Sequence, residues 1–128
     1  MALEEAVARA LVATRRDPTL GLVLLVVLLD NTLDADKLLA AAKARKVEPE
    51  LGMFLALTAQ VGRRPLLARL ARRLPKHTGE PRYYPEPLGG RFGRALADQN
   101  TPAVVAAWGF RMNETETDLR GFVEKHLG

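Results

Sequence analysis

Apolar residues recur along most of this chain at spacings of three and four, which is the period of an α-helix rather than of a β-strand. The clearest example lies between Pro65 and Leu74, where leucines occupy one stripe and arginines the opposite one. The leucines are Leu66, Leu67, Leu70 and Leu74, and the arginines are Arg69, Arg72 and Arg73. We therefore expect an all-α fold in which amphipathic helices bury their apolar sides in a common core.

An eight-residue motif occurs twice, with an offset of 31 residues. Asp17–Leu24 and Glu48–Leu55 both read acid, Pro, any residue, Leu, Gly, two apolar residues, Leu. An acid suits a helix N-cap, and Pro is tolerated at the first helical position because its missing N–H would be unpaired there. Glycine inside a helix costs about 1 kcal/mol relative to alanine. We therefore expect a neighbouring helix to pack closely against Gly21 and Gly52.

Each motif opens an apolar helix that is followed by a turn and a second, more basic helix. The sequence predicts a single domain of antiparallel helical hairpins in tandem, with a repeat of about 31 residues, in a compact bundle or a short solenoid. The predicted segments are an N-terminal helix (1–16), a first hairpin (17–47), a second hairpin (48–75), a Pro/Gly-rich basic loop (76–100) and a C-terminal hairpin (101–128).

Three local alternatives remain open. A small β-hairpin is compatible with the turn-rich residues 80–93, and a short helix is compatible with Arg94–Asp98. Val23–Leu29 has the composition of a buried strand, although its repeat partner Met53–Gln60 fits a helix better. The longest apolar run, Leu20–Leu29, is ten residues long, whereas a membrane span needs about 20. The charged N-terminal segment is unlike a signal peptide. We expect a cytoplasmic protein with no membrane association.

Several kinds of chemistry are excluded by residues that the chain lacks. It has neither cysteine nor serine, which excludes disulfides, thiolate metal ligands and thiol or serine nucleophiles. His77 and His126 have no metal-ligand spacing, and we expect both to be exposed. The acidic cluster Asp30, Asp34 and Asp36 lacks the distal Glu of a calcium loop, so we expect Asp34 to cap a helix. No catalytic, cofactor-binding or metal-binding residue is predicted, and we expect a protein that is not an enzyme.

The positive charge is concentrated in residues 63–94, which we call the basic block. It holds nine Lys or Arg and two acids, whereas the flanking segments are slightly acidic and the whole chain has a net charge of +4. Cations interleaved with aromatic rings suit single-stranded nucleic acid, and a basic helix face suits the phosphates of a duplex. The residues predicted to bind nucleic acid or another partner are Arg63, Arg64, Arg69, Arg72, Arg73, Lys76, Arg82, Tyr83, Tyr84, Arg91, Phe92 and Arg94.

An ordinary surface is the competing interpretation of the same charges. Cations are common in the last turn of a helix because they complement its dipole. The position three before Pro18, Pro49 and Pro75 is basic in all three cases, as Arg15, Lys46 and Arg72. A solvated helix face accounts equally for Arg69 and Arg73.

Residues 34–75 resemble a helical region found in abortive-infection (type IV) antitoxins and related nucleotidyltransferase-linked proteins. The shared features are Leu-Leu-Ala at 38–40, a valine at the end of that helix (Val47), and Leu-Gly-x-x-Leu at 51–55, which opens the next helix. The resemblance covers about a third of the chain. It implies a role in DNA-linked regulation.

Three functions follow from these patterns. The favoured one is a non-enzymatic protein that binds DNA or RNA, or acts in nucleic-acid-associated regulation, through the basic block. The alternative is a protein–protein interaction or adaptor module, including a homodimer, that does not bind nucleic acid. The most remote is an enzyme with a dispersed acidic site.

Overall fold

A computed structural model describes residues 2–17, 19–84 and 90–127. In these residues the chain forms eight helices and one pair of two-residue strands, so the all-α prediction is confirmed at this level. In chain order the elements are α1 (Leu3–Thr14), α2 (Thr19–Asp30), α3 (Ala35–Ala44), α4 (Glu48–Val61), α5 (Pro65–Ala71), β1 (Arg82–Tyr83), α6 (Gly90–Asn100), α7 (Ala103–Ala107), β2 (Phe110–Arg111) and α8 (Glu116–Leu127).

Helix α4 lies at the centre of the fold. It contacts α1, α2, α3, α5, α7 and α8. All five residues from Leu51 to Leu55 are buried, and a helix that is apolar on every side belongs in the interior of a domain. No helix of the described ranges is long and apolar enough to cross a membrane.

The helices flanking α4 pair in different ways. Helix α5 packs closely against α4, whereas α3 packs mainly against α1. Two carboxylates of α1 hold α3 at its ends: Glu4 Oε2 accepts a hydrogen bond from the backbone N–H of Asp34 at 2.8 Å, and Glu5 Oε1 accepts one from Arg45 Nε at 2.9 Å. The tandem arrangement of two equivalent hairpins stays a prediction.

Side-chain capping confirms the helix starts expected at Asp17 and Asp34, and Thr115 caps α8 in the same way. Asp17, Asp34 and Thr115 each accept a hydrogen bond from a backbone N–H two or three residues later, at 3.0–3.1 Å. Glu48 is an exception, because it lies inside α4 and the N-cap position belongs to Val47. Since a single turn separates α3 from α4, the Val47 N–H closes α3 by bonding to Ala42 O at 3.0 Å. The capping expectation for Glu48 is therefore wrong.

The two motif glycines differ in how closely they are packed. A Cβ atom on Gly52 would overlap the ring of Trp108, so the expected close approach is confirmed there. The element that approaches is the end of α7. A Cβ on Gly21 would lie 3.6 Å from Phe54 Cζ, which is an ordinary van der Waals contact.

The predicted loop at 76–100 requires a correction, because it contains β1 and most of it after residue 89 is the helix α6. The short helix offered at Arg94–Asp98 lies within α6, whose earlier start the glycines at 90 and 93 concealed. Ala97 anchors α6 in the core, and Thr101 closes it by donating its hydroxyl proton to Ala97 O at 2.6 Å. Residues 85–89 of that loop, and Pro18 of the first motif, lie outside the described residues.

The two strands do not form a local hairpin. Strand β1 pairs in parallel with β2, with Arg82 opposite Phe110 and Tyr83 opposite Arg111. The partner of β1 is therefore almost 30 residues away along the chain, and the alternative of a β-hairpin within 80–93 does not describe this pairing. Residues 23–29, the other candidate strand, are part of α2.

Candidate nucleic-acid interface

Helix α5 and its flanks carry the densest run of positive charge. Between Glu50 and Glu80 the chain has no carboxylate side chain. It has six cations in that interval, which we call the α5 cations: Arg63, Arg64, Arg69, Arg72, Arg73 and Lys76. All six are exposed.

Burial of the opposite side of α5 explains this exposure. Ala71 and Leu74 are buried, and Leu67 and Leu70 pack against the core. Beyond the last residue of α5 the chain makes one more turn, in which the N–H of Leu74 donates to Ala71 O at 3.0 Å. The arginines at 69, 72 and 73 are consequently held on the outer side by the same packing that anchors the leucines.

Leu66 departs from the expected leucine stripe. Its side chain is 71% exposed, so its assignment to the buried side is wrong. It precedes Arg69 by three residues and Arg73 by seven, which places the three side chains along one helix face. The buried side of α5 and of the turn after it therefore consists of Leu67, Leu70, Ala71 and Leu74.

The α5 cations have few carboxylate partners. Asp36 Oδ1 lies 3.5 Å from Arg73 Nη2, and both side chains are more than half exposed. Pairs of this kind contribute about 0–1 kcal/mol. No other carboxylate within the described ranges lies within 4 Å of these six side chains. Their positive charge is therefore left largely uncompensated.

Arg63 occupies a backbone conformation that favours glycine. Its φ is +54°, and it follows the end of α4 where the N–H of Arg64 donates to Ala59 O at 3.0 Å. A glycine is the usual residue at this position, because a left-handed conformation costs other L-residues roughly 1–2 kcal/mol. Lys46 has the same role after α3, with a φ of +57°.

This turn directs Arg63 toward a surface groove that Arg72 and Lys76 also line. The groove lies between α4, α5 and α7 and has a volume of about 700 Å³. Lys76 is held at its edge, with Nζ 5.6 Å from the centre of the Trp108 ring, a cation–π contact. We call this feature the cationic groove.

The remaining cations of the basic block form a second group around β1 and α6. Arg82 Nη1 lies 3.8 Å from Glu50 Oε2, and the Arg94 guanidinium lies 5.3 Å from the centre of the Tyr83 ring. Tyr83 donates its hydroxyl proton to Asp98 Oδ1 at 2.7 Å, and this hydrogen bond raises the pKa of Tyr83. These side chains already have partners within the protein.

Arg91 and Phe92 are the outward-facing members of the second group. Both are exposed at the start of α6, and the Phe92 ring is 73% exposed. They are the residues of this group that remain accessible to a ligand.

Tyr84 does not belong to a binding surface. It is 4% exposed, it donates its hydroxyl proton to Leu11 O at 2.8 Å, and its ring packs against Phe54 and Phe110. Burial, with a smaller effect from Glu50, raises its pKa. The prediction that Tyr84 is accessible to a partner is wrong, because the β1–β2 pairing directs it inward.

Helix α4 spans the distance between Arg63 and the second group. Arg82 contacts Glu50 near the start of α4, whereas Arg63 follows the end of this helix. Thirteen residues of helix between these points correspond to roughly 20 Å. Lys76 lies nearer to the second group, because its ammonium contacts the Trp108 ring, which packs on Gly52 near the start of α4. The α5 cations are the larger and less compensated part of the basic block.

Sequence reasoning missed a buried carboxylate beside the second group. Glu50 is 1% exposed, and its Oε2 accepts a hydrogen bond from Arg15 Nε at 2.9 Å. It occupies the unspecified position of the repeated motif, where the first copy has Thr19. The one available signal was an acid placed directly before the apolar run that begins at Leu51.

The histidines do not indicate a catalytic centre. His126 Nε2 lies 2.8 Å from Asp30 Oδ2, which joins α8 to α2, and His77 Nε2 lies 2.9 Å from Glu80 O. His126 is exposed, as expected, whereas His77 is half-buried beside Phe110. In the described part of the chain, no group of three His, Asp or Glu side chains is placed to hold a metal ion.

Comparison of the chain with protein-family models, with curated proteins and with solved structures finds no match.

Proposed function

We propose that this protein is a non-enzymatic nucleic-acid-binding protein, and that the α5 cations make its main contacts with phosphate. The observation that supports this is the run of six exposed cations on and around one short helix, in a segment that carries no carboxylate. Neutralising phosphates with Lys and Arg supplies most of the affinity in sequence-independent binding, because counterions are released.

The spacing of the α5 arginines favours a binding role over a stabilising one. Arg69 lies three residues before Arg72 and four before Arg73, so like charges are neighbours on the surface. Pairs of this kind destabilise a helix by a few tenths of a kcal/mol each. Attraction between a cation and the helix dipole offsets this cost. That attraction accounts for one or two of these cations and leaves the others without a stabilising role.

A second candidate is a protein-interaction module, and exposed Leu66 favours it. An apolar side chain between arginines on one helix face suits a partner that combines acidic and apolar groups. The partner in this case is an acidic protein or a second copy of the chain.

The proposal extends to the location, the architecture and the regulatory setting of the protein. We infer a cytoplasmic protein built of tandem helical hairpins, in which the second copy of the motif leads into the binding helix. The resemblance of residues 34–75 to antitoxin-associated helical regions supports DNA-linked regulation as the setting.

Charge reversal tests the proposal directly. Fluorescence anisotropy measures the affinity of the protein for labelled single-stranded and duplex DNA and RNA. The triple variant Arg69→Glu, Arg72→Glu, Arg73→Glu is expected to abolish binding. If this variant binds as tightly as the natural chain, the assignment of the α5 cations is incorrect.

A matched control keeps the change in net charge the same. Arg16, Lys43 and Lys125 are exposed and lie on other helices or at their ends. The variant Arg16→Glu, Lys43→Glu, Lys125→Glu is expected to retain most of the affinity, because it alters the overall charge and leaves the α5 cations in place. Equal losses in both triple variants would indicate an effect of net charge alone.

A further inference from the structure

We propose that the cationic groove holds one nucleotide of a single strand, with its base against the floor of the groove and its phosphate between the cations of the rim. This inference rests on the proposed function and narrows it from nucleic acid in general to single strands.

The groove combines an apolar floor with a positive rim. Ala59 of α4 and Ala68 and Ala71 of α5 contribute small side chains to the floor, and Trp108 closes one end. Because these side chains are short, the two helix surfaces leave an open channel between them. The volume of about 700 Å³ lies within the range of about 300–1,000 Å³ that is typical of sites for small organic ligands.

Three cations surround this floor, and none of the described residues that line it is a carboxylate. Arg63 lies at the end of α4, Arg72 at the end of α5, and Lys76 beside Trp108. Gln60 also lines the groove; its Nε2 donates a hydrogen bond to Glu116 Oε1, so its side-chain carbonyl is the group left to accept a hydrogen bond from a base edge. An occupant that matches this lining has a flat, weakly polar part and at least one strongly anionic group. A nucleotide satisfies both requirements, since its base is planar and its phosphate is anionic.

The same arrangement favours a single strand over a duplex. In a duplex the base faces are stacked on one another, and only their edges reach the grooves. In a single strand a base can leave the stack and place its face on an apolar surface, as in other single-strand sites. A groove that binds the face of a base can therefore bind single strands and strand ends, whose bases are free to leave the stack.

The arginines of α5 and of the turn after it point in different directions, and we expect them to have different roles in binding. Arg72 follows Ala68 by four residues and shares the groove side of the helix, whereas Arg69 and Arg73 lie one residue further round. Arg69 and Arg73 are expected to contact phosphates of any strand. Arg63, Arg72 and Lys76 are expected to act on the nucleotide in the groove.

Filling the groove without changing any charge tests this inference. Ala68→Leu retains a strong helix former at a half-buried position and places a larger side chain on the floor. The affinity for labelled oligothymidine is expected to fall about tenfold or more, the equivalent of one lost base contact, while the affinity for a hairpin duplex stays unchanged. Ala40→Leu, on an exposed position of α3, is the control and is expected to change neither.

The outcomes distinguish this inference from the proposed function. If Ala68→Leu leaves single-strand affinity unchanged while reversal of Arg69, Arg72 and Arg73 abolishes it, the groove assignment is incorrect and the nucleic-acid function stands. Loss of single-strand and duplex affinity together in Ala68→Leu would also overturn the groove assignment. If the natural chain binds no nucleic acid, both proposals are incorrect.

Discussion

At the scale of single residues, the two motif glycines show how one sequence pattern serves two packing environments. The backbone of α4 at Gly52 lies directly against the Trp108 ring, so that no side chain fits there. At Gly21 the nearest atoms of Phe54 are 3.6 and 3.7 Å from the position of a Cβ. Glycine is therefore required at one position and tolerated at the other.

The substitution Gly52→Ala is expected to destabilise the protein by about 1–3 kcal/mol, because the added methyl group forces Trp108 or α4 to move. Gly21→Ala is the matched change, and it is expected to be neutral or to stabilise α2 by up to about 1 kcal/mol through helix propensity. Urea unfolding followed by circular dichroism gives both free energies. Equal effects of the two substitutions would show that the Trp108 contact does not restrict the size of the residue at position 52.

Arg63 offers a test in which stability and binding change in opposite directions. Replacing it with glycine relieves the left-handed backbone conformation and is expected to raise the free energy of unfolding by about 1 kcal/mol. The same change removes a cation from the groove, so single-strand affinity is expected to fall. If the Arg63→Gly variant is more stable than the natural chain and binds more weakly, misfolding does not explain the loss of binding.

Lys46 supplies the control for this experiment. It has almost the same φ, at the end of α3, and it lies outside the cationic groove. Lys46→Gly is expected to stabilise the protein to a similar extent and to leave binding unchanged. If Arg63→Gly binds a single strand as tightly as Lys46→Gly does, Arg63 has no part in the site.

At the scale of elements, the contact between α1 and α3 depends on two carboxylates. The N–H of Asp34 lowers the pKa of Glu4, and the Arg45 guanidinium lowers the pKa of Glu5, both from an ordinary value of 4.5. A group whose pKa is lower in the folded state stabilises the fold above its ordinary pKa. This contribution is lost as the pH falls through the lowered value.

The midpoint of urea unfolding is therefore expected to decrease as the pH is lowered from about 6 to about 3. The double variant Glu4→Gln, Glu5→Gln is expected to be less stable at pH 6 and to show a weaker dependence on pH. Both carboxylates are partly exposed to solvent, so the effect is modest and decreases with added salt. An unchanged pH profile in the double variant would contradict this account of the α1–α3 contact.

The helices and strands also show which parts of the fold the sequence predicts. Helical periodicity and capping residues located most helices, because both signals are local, as at Asp17 and Asp34. The sequence offered only a short helix at Arg94–Asp98 where α6 lies, because glycines masked its start. The β1–β2 pairing was missed, since it joins segments distant in the chain. Long-range pairing of this kind leaves no periodic trace in either segment.

The candidate site was predictable only in part, because its charge is a local feature of the sequence and its shape depends on long-range packing. The charge of the basic block is a property of the sequence, and the α5 cations lie together because one short helix and the segments on either side of it carry them. Tyr84 was misplaced because its direction depends on the β1–β2 pairing. The cationic groove was not predictable, since it forms between α4, α5 and α7, whose relative positions depend on the Trp108–Gly52 contact.

At the scale of the whole molecule, a buried ion pair separates the structural part of the basic block from its exposed part. Glu50 receives Arg15 from the end of α1 and lies near Arg82 of β1, so it joins three distant segments at the start of α4. The α5 cations, which extend from Arg63 at the end of α4 to Lys76 beside Trp108, have no comparable partner in the described ranges. The molecule thus compensates the positive charge around Glu50 and leaves that of the α5 cations accessible.

The central claim is that this accessible charge binds nucleic acid, and the salt dependence of binding tests it most directly. Anisotropy titrations with labelled oligothymidine over about 50–200 mM salt give the slope of log affinity against log salt concentration. Each phosphate neutralised on a single strand contributes about −0.7 to that slope. The slope is expected to be steep for the natural chain and to become shallower by about 0.7 in each of the single variants Arg69→Ala, Arg72→Ala and Arg73→Ala. An affinity that does not change with salt, or a slope that these substitutions leave unaltered, would contradict the account.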